Sequence, residues 1–161
     1  LVEAEAFREL ALCGITLRPI PAAHEELAID DRGRHLALGF LIESAGSRIY
    51  HPGDCAPYTG LAANLRPYRV DLALLPVNGR DAARLAAGIL GNFSLGEAVA
   101  LAEELGFGAA LGHHFGMFDF NTIDEAAAAA FLASRAGGAP FELVAPGLRY
   151  RLLPAGATKD A

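Results

Sequence analysis

Three places along the chain carry side chains that bind metal ions. The first is His24, the second is Asp54, and the third is the pair His113 and His114. Each follows an apolar run that predicts a strand, and an open α/β sheet presents its functional groups at strand ends. Imidazoles and a carboxylate are suitable ligands for zinc or manganese. The pattern therefore predicts part of a metal site, with fewer ligands than a complete one.

Each of these residues also has an ordinary structural explanation. Gly53 lets the chain turn steeply and offers the Asp54 carboxylate at the sheet edge, but a strand-Gly-Asp sequence also caps helices. His24 stands among small residues, which is typical of a surface loop. His113 and His114 point to opposite faces of an extended backbone, so one is predicted to bind metal and the other to pack nearby. The alternative is that both are plain histidines at the sheet edge.

Four residues are candidates for supporting roles. His51 stands shortly before Asp54 and is placed to orient it by a hydrogen bond, although packing is its favoured role. Asn78 and Arg80 follow an apolar strand and are substrate-binding candidates, as is His113. The planar guanidinium of Arg80 suits a substrate carboxylate or phosphate. An Asn-Gly dipeptide also predicts a turn there, and the turn is the favoured interpretation.

The elements that position these residues alternate between strands and helices. Strands are predicted over 15–22, 35–43, 48–51, 70–77, 107–111, 141–145 and 148–153, with a hairpin turn at 44–47. Helices are predicted over 2–13, 58–65, 94–105 and from 122 to the glycines at 137–138. This order predicts an α/β fold with a mixed sheet. A small, polar tail over 155–161 is predicted to be loose.

Helix ends are marked by local signals. Gly14 is read as the residue that ends the first helix. A Ser-x-x-Glu pattern begins at Ser94 and a Thr-x-x-Glu pattern begins at Thr122, and each predicts a capping box. In the second of these helices Ile123, Phe131 and an alanine between them share one face, which is predicted to pack against the sheet.

The composition indicates one domain and excludes several classes of protein. The chain has 161 residues, of which 53% are hydrophobic, and this is enough for a sizeable core. The net charge is −6 and no basic run occurs, so nucleic acid is not expected as a partner. No apolar run approaches the length that spans a membrane, so a membrane is not expected either. The early acidic residues are not expected in a signal peptide. Cys13 and Cys55 are expected to be reduced thiols of a cytoplasmic protein.

Five short stretches together resemble the metallo-β-lactamase superfamily, and within it the L-ascorbate-6-phosphate lactonase-like branch. They lie at 21–25, 49–54, 75–81, 91–98 and 114–122, and the last begins with H-F-G-M-F. The resemblance implies an αβ/βα sandwich and a metal-dependent hydrolase. It implies that His24 is the histidine of the third metal motif, that Asp54 is the metal-bridging and catalytic aspartate, and that His114 is the last metal-binding histidine. His113 is then its neighbour, and a slip of one position would exchange the two.

The same resemblance implies the chemistry. One or two zinc or manganese ions would be the cofactor. The substrate would be the lactone, ester or phosphoester of a small molecule, and Arg80 suggests an anionic one.

One motif of this family is missing from the chain. Its main metal motif, H-x-H-x-D-H, does not occur, because no two of the five histidines are separated by one residue. The chain is therefore expected to be the C-terminal portion of a longer metallo-hydrolase. Half a sandwich would expose an apolar sheet face, to be covered by the other half or by another copy in a homo-oligomer. The alternative function is a catalytically incomplete, metal-free module kept for packing or partner binding.

Overall fold

A seven-stranded mixed sheet is the centre of the computed structural model, which describes residues 2–153 and 156–160. The strands lie in the sheet in their chain order: β1 Leu10–Leu12, β2 Ile15–Pro21, β3 Leu38–Ser44, β4 Ser47–His51, β5 Leu72–Pro76, β6 Ala110–His113 and β7 Phe141–Leu143. Strands β1 to β4 are antiparallel, whereas β4 to β7 are parallel. The predicted α/β fold with a mixed sheet is thereby confirmed.

Four helices and a small hairpin complete the described part of the chain. The helices are α1 Leu61–Leu65, α2 Ala82–Ala86, α3 Leu95–Leu105 and α4 Glu125–Ala133. None of the helices within the described ranges is long and apolar enough to cross a membrane. The sequence predicts α1, α3 and α4, but it does not predict α2, which begins at its N-cap Asp81.

The predicted N-terminal helix over 2–13 is wrong. Leu10–Leu12 is a strand, and its Leu10 pairs with Leu17 across a tight hairpin. Cys13 and Gly14 form the turn, with φ of 50° and 81°. Two consecutive positive φ values match the twist of a two-residue hairpin. Glycine suits this turn and a helix end for the same reason, so Gly14 could not distinguish them.

The local signals elsewhere are largely confirmed. The turn at 44–47 joins β3 to β4 through Ala45 and Gly46, with φ of 50° and 80°. At the start of α3, Ser94 Oγ accepts from the backbone N–H of Glu97, and the Glu97 carboxylate accepts from that of Ser94. This capping box satisfies donors that the first helical turn leaves free.

Helix α4 begins later than predicted and buries a different side chain. Its N-cap is Asp124, because the hydroxyl of Thr122 instead accepts a hydrogen bond from the backbone N–H of Gly116 at 2.7 Å. The predicted packing face is confirmed only for Ile123, which packs against the core. Phe131 is 42% exposed, and Ala128 is the buried residue of the helix. The helix therefore lies beside an open cleft instead of flat against the sheet.

The core lies between one face of the sheet and the helices. Leu41, Tyr50 and Leu75 are fully buried there, next to Ala98 of α3. On the other face Phe40, with Leu17, Leu38 and Ile42, lines a shallow apolar groove of about 370 Å³. An apolar sheet face is thus partly open, and what covers it stays a prediction.

The structure describes part of the tail over 155–161, and the looseness predicted for it stays a prediction. Residues 155 and 161 lie outside the described residues. Residues 156–160 form β9, Gly156–Asp160, which pairs antiparallel with β8, Arg149–Leu153. Small polar residues complete this ladder because its hydrogen bonds join backbone groups, whatever the side chains.

Candidate metal centre

Four strand ends meet at one edge of the sheet. Strands β2 and β4 are both antiparallel to β3, so they run in the same direction, and β5 and β6 are parallel to β4. The carboxyl ends of these strands therefore lie at a common edge. His24 follows β2, Asp54 follows β4, and His114 follows β6. The topology thus brings together three residues that are 30 and 60 positions apart.

The Asp54 carboxylate lies between the two imidazoles. Its Oδ2 is 4.0 Å from His24 Nε2, and its Oδ1 is 3.5 Å from His114 Nδ1. All three side chains are partly exposed, with 35% of His24, 45% of Asp54 and 39% of His114 accessible to solvent. Each carboxylate oxygen thus faces a different histidine. That arrangement is suited to a carboxylate that is shared between two cation positions.

Unusual backbone conformations occur beside each of the three residues. Glu25, next to His24, has a φ of 76°; Gly53, next to Asp54, has a φ of 69°; and His114 itself has a φ of 66°. For a residue other than glycine, a left-handed conformation costs on the order of 1–3 kcal/mol. Such strain persists where the surroundings enforce it, and it concentrates at functional sites. This clustering motivates a functional hypothesis for the three residues.

The loops that carry the three residues are tied to one another. The backbone N–H of Ala56 donates to the carbonyl of Ala23 at 2.7 Å, which joins the Asp54 loop to the His24 loop. The carboxylate of Glu25 accepts from the backbone N–H of Gly91 at 2.8 Å. These bonds link segments far apart in sequence, and they hold His24 and Asp54 in register before any ligand binds.

The two neighbouring histidines of β6 and its loop take different positions. His114 reaches Asp54, while His113 turns inwards and lies against His51, with 5.2 Å between the ring centroids. The His113 Nε2 atom is buried without a hydrogen-bond partner. Burial, together with the nearby His51 ring, lowers the pKa of His113 to about 4, so this imidazole is neutral at pH 7.

His51 contacts the turn that leads to the carboxylate. Its Nδ1 atom accepts a hydrogen bond from the backbone N–H of Gly53 at 3.0 Å. The residue bonded is thus the one before Asp54, and not Asp54 itself. The orienting role of His51 stays a prediction, now with a defined contact.

The donor set fits part of a metal centre. Within residues 2–153 and 156–160, no three His, Cys, Asp or Glu side chains are grouped closely enough to hold a metal ion by themselves. Instead, His24 lies beside one oxygen of Asp54 and His114 lies beside the other. Each candidate cation position therefore has one imidazole and one carboxylate oxygen. Zinc sites use three or four protein ligands. The chemistry of the donors fits a divalent cation, and further ligands are needed from elsewhere.

The two substrate-binding candidates of the next loop have structural partners. Asn78 is 1% exposed. The Arg80 guanidinium forms a two-pronged ion pair with Glu97 of α3, at 2.7 Å for each prong, and also donates to the carbonyl of Asn92 at 3.0 Å. The planar fork of Arg80 is thereby used within the protein. A role for Asn78 or Arg80 towards a substrate stays a prediction.

A chain of buried amides supports the His114 loop, and sequence reasoning missed its role. The Asn92 side-chain amide donates to Asn78 Oδ1 at 2.9 Å, and the Asn78 amide donates to Asn121 Oδ1 at 2.7 Å. Arg84 donates to Asn121 as well, at 3.1 Å. The one signal in the sequence is asparagine directly beside apolar residues, which does not reveal that the amides meet.

Comparisons with known proteins show the family and the fold of the chain. The family model described as "Beta-lactamase superfamily domain" matches residues 2–115. A "UPF0173 metal-dependent hydrolase" of Methanocorpusculum labreanum is 35% identical over 71 residues, which are 42% of this chain and 32% of that protein. A protein of the same description from Methanosphaerula palustris is 31% identical over 91 residues, which are 51% of this chain and 42% of that protein. These matches span less than half the length of the curated relatives.

Solved structures show the same fold. Igni18, a metallo hydrolase from the archaeon Ignicoccus hospitalis, superposes with a TM-score of 0.66 at 19% identity, over 99% of this chain and 60% of that one. The metallo-β-lactamase fold protein YhfI from Bacillus subtilis superposes with a TM-score of 0.64 at 14% identity, over 99% of this chain and 55% of that one. The family match over most of the chain, together with this fold, shows that the chain belongs to the metallo-β-lactamase superfamily.

Proposed function

We propose that the intact protein is a metal-dependent hydrolase that cleaves a lactone, ester or phosphoester of a small molecule. The observation that carries the proposal is the placement of the Asp54 carboxylate between His24 and His114 at the carboxyl edge of the sheet. Relatives described as metal-dependent hydrolases support it. The finer assignment, to a lactonase-like branch, rests on the sequence resemblance.

The chain's own residues would hold the cofactor in a defined way. Asp54 would offer one oxygen to each of two positions, with His24 and His114 as the nitrogen ligands. Zinc and manganese both accept this donor set. When bound, a divalent ion supplies Lewis acidity and lowers the pKa of a coordinated water towards neutrality. His113 stays neutral and half-buried behind the site, and His51 holds the turn before Asp54.

The remaining ligands would come from outside the described residues. Two donors at each position fall short of a complete shell. A segment that packs on the open apolar groove near Phe40 would be placed to supply them, either from the same polypeptide or from a second copy of the chain.

Two free cysteines, Cys13 and Cys55, fit a reducing cytoplasm.

Metal analysis of the full-length natural protein tests the proposal. Asp54→Asn keeps the shape of the side chain and removes its charge. Asp31→Asn, at an exposed aspartate 23 positions before Asp54, is the matched control. We expect Asp54→Asn to weaken zinc or manganese binding by more than about tenfold, since even partners outside the ligand shell contribute that much. Asp31→Asn should bind metal like the wild type. Equal metal affinity in Asp54→Asn would refute the assignment.

A metal-free module is the second candidate, and one observation favours it. No group of three ligand side chains occurs among the residues that the structure describes. This alternative expects no bound zinc or manganese in the full-length wild-type protein, even after incubation with either ion. The same metal analysis therefore separates the two functions.

A further inference from the structure

A second cavity adjoins the candidate metal centre. It has a volume of about 250 Å³ and is lined by five residues of one loop: His114, Phe115, Met117, Phe118 and Asn121. His114 is thus a wall of this cavity and also the neighbour of the Asp54 carboxylate. Any group that occupies the cavity therefore lies beside the place where the proposed chemistry occurs. Cavities that enclose a drug-sized ligand measure about 300–1,000 Å³, so this one suits a short chain or a single ring.

The loop presents large apolar side chains to solvent. Met117 is 81% exposed, Phe118 is 52% exposed and Phe120 is 62% exposed. The rings of Phe118 and Phe120 stack with 5.4 Å between their centroids. Three large apolar side chains are thus exposed within four positions, and two of them are in contact; exposed apolar patches mark binding sites.

The loop is held in place in the absence of any ligand. The Gly116 backbone N–H donates to Thr122 Oγ1 at 2.7 Å, and the Asn121 backbone N–H donates to the Phe118 carbonyl at 3.0 Å. The buried side chain of Asn78 donates to Asn121 from below. The cavity is therefore formed in advance, which reduces the entropy that binding would cost.

None of the five lining residues is an aspartate, a glutamate, a lysine or an arginine. Arg84 donates to Asn121 of this loop, and its guanidinium is already paired with Asp81. Arg80 donates to the Asn92 carbonyl, and its guanidinium is already paired with Glu97. An anionic group would find no free guanidinium there. From these observations we propose that the 114–121 loop is a specificity subsite for the unbranched alkyl chain of a neutral lactone or ester. This inference rests on the proposed hydrolase function and names its substrate class.

A lactone series tests the subsite in the full-length natural protein. The substrates are γ-butyrolactone and γ-lactones with two-, four- and six-carbon alkyl chains. Complete transfer of a methylene from water to an apolar site corresponds to about fourfold in affinity. Because this cavity buries the chain only in part, the expected factor is about two- to fourfold per methylene. We expect kcat/KM to rise by that factor per methylene in the wild type and in Phe7→Ala, the control, which removes a phenylalanine that is 61% exposed near β1. In Phe118→Ala the rise should be lost, so that kcat/KM is the same for all four lactones.

A binding measurement keeps the two proposals separable. Saturation-transfer NMR on the metal-stripped protein reports contact with the alkyl protons of γ-decalactone without any turnover. Contact that is lost in Phe118→Ala, with no hydrolysis of any lactone or of the matching alkyl esters and phosphoesters, would support the subsite and refute the hydrolase. Hydrolysis without chain-length preference and without alkyl contact would overturn the subsite alone. Absence of both contact and hydrolysis would overturn both.

Discussion

The ion pair between Arg80 and Glu97 allows a prediction with a defined pH dependence. The Glu97 carboxylate accepts two hydrogen bonds from the Arg80 guanidinium, and it also accepts from the backbone N–H and hydroxyl of Ser94. The bonds from Arg80 are the largest cause, and they lower the pKa of Glu97 from 4.5 to about 2 against the opposing effect of burial. The perturbation is Glu97→Gln, which removes the charge but can still complete the capping box.

The magnitude follows from the pKa shift and the exposure of the pair. A shift from 4.5 to about 2 corresponds to roughly 3 kcal/mol at about 1.4 kcal/mol per unit. The Glu97 side chain is 38% exposed, so solvent screening reduces this to about 1–2 kcal/mol. Because the pKa is lower in the folded state than in the unfolded state, the stabilisation is complete above pH 4.5. It declines as the pH falls and is lost below about 2.

Urea unfolding at a series of pH values between 7 and 3 measures this effect. We expect Glu97→Gln to lower the free energy of unfolding by about 1–2 kcal/mol at pH 7, and the difference from the wild type to fall below half of that at pH 3. Glu3→Gln, an exposed glutamate, should match the wild type throughout. A difference that stays constant between pH 7 and pH 3 would show that the charge of Glu97 does not stabilise the fold.

Three further predictions concern the supports of the site. Asn78→Ala leaves the buried Asn92 amide without its acceptor and should destabilise the protein by about 1–3 kcal/mol, measured by urea unfolding; a change within error would contradict the amide chain. Gly39→Ala places a Cβ 2.5 Å from the backbone of Pro52, which leads into the turn at Gly53 and Asp54. Thermal unfolding should therefore show a loss of stability of about 1–3 kcal/mol, and wild-type stability would refute the clash. Burial raises the pKa of Cys55 to about 11, so one thiol per folded chain, the exposed Cys13, should react with a thiol reagent at pH 8, and two should react after unfolding. Two fast-reacting thiols in the folded protein would show that Cys55 is accessible.

Much of the local structure could be predicted because its causes lie within a few residues. The hairpin turn at 44–47 and the capping box of Ser94 depend on neighbouring positions alone. The same locality explains the error at Gly14, since a positive φ ends a helix and closes a hairpin equally well. The later start of α4 at Asp124 depends on a bond from Gly116 to Thr122, six positions away, which no local pattern shows.

The sequence by itself determined the chemical types at the site and the strand ends that carry them. His24, Asp54 and a histidine pair after an apolar strand were enough to indicate a metal centre. Only the tertiary structure decided which histidine faces Asp54, because the turn at His114, with its φ of 66°, sends one imidazole to the carboxylate and leaves His113 against His51.

Partners that are distant in sequence were likewise decided by the fold. Arg80 meets Glu97 across 17 positions, and Asn78 meets Asn121 across 43. Such contacts follow from the order of the parallel strands and from the crossovers that return each strand to the same edge. A side chain's type is written in the sequence, whereas its neighbours depend on where every other strand has been placed.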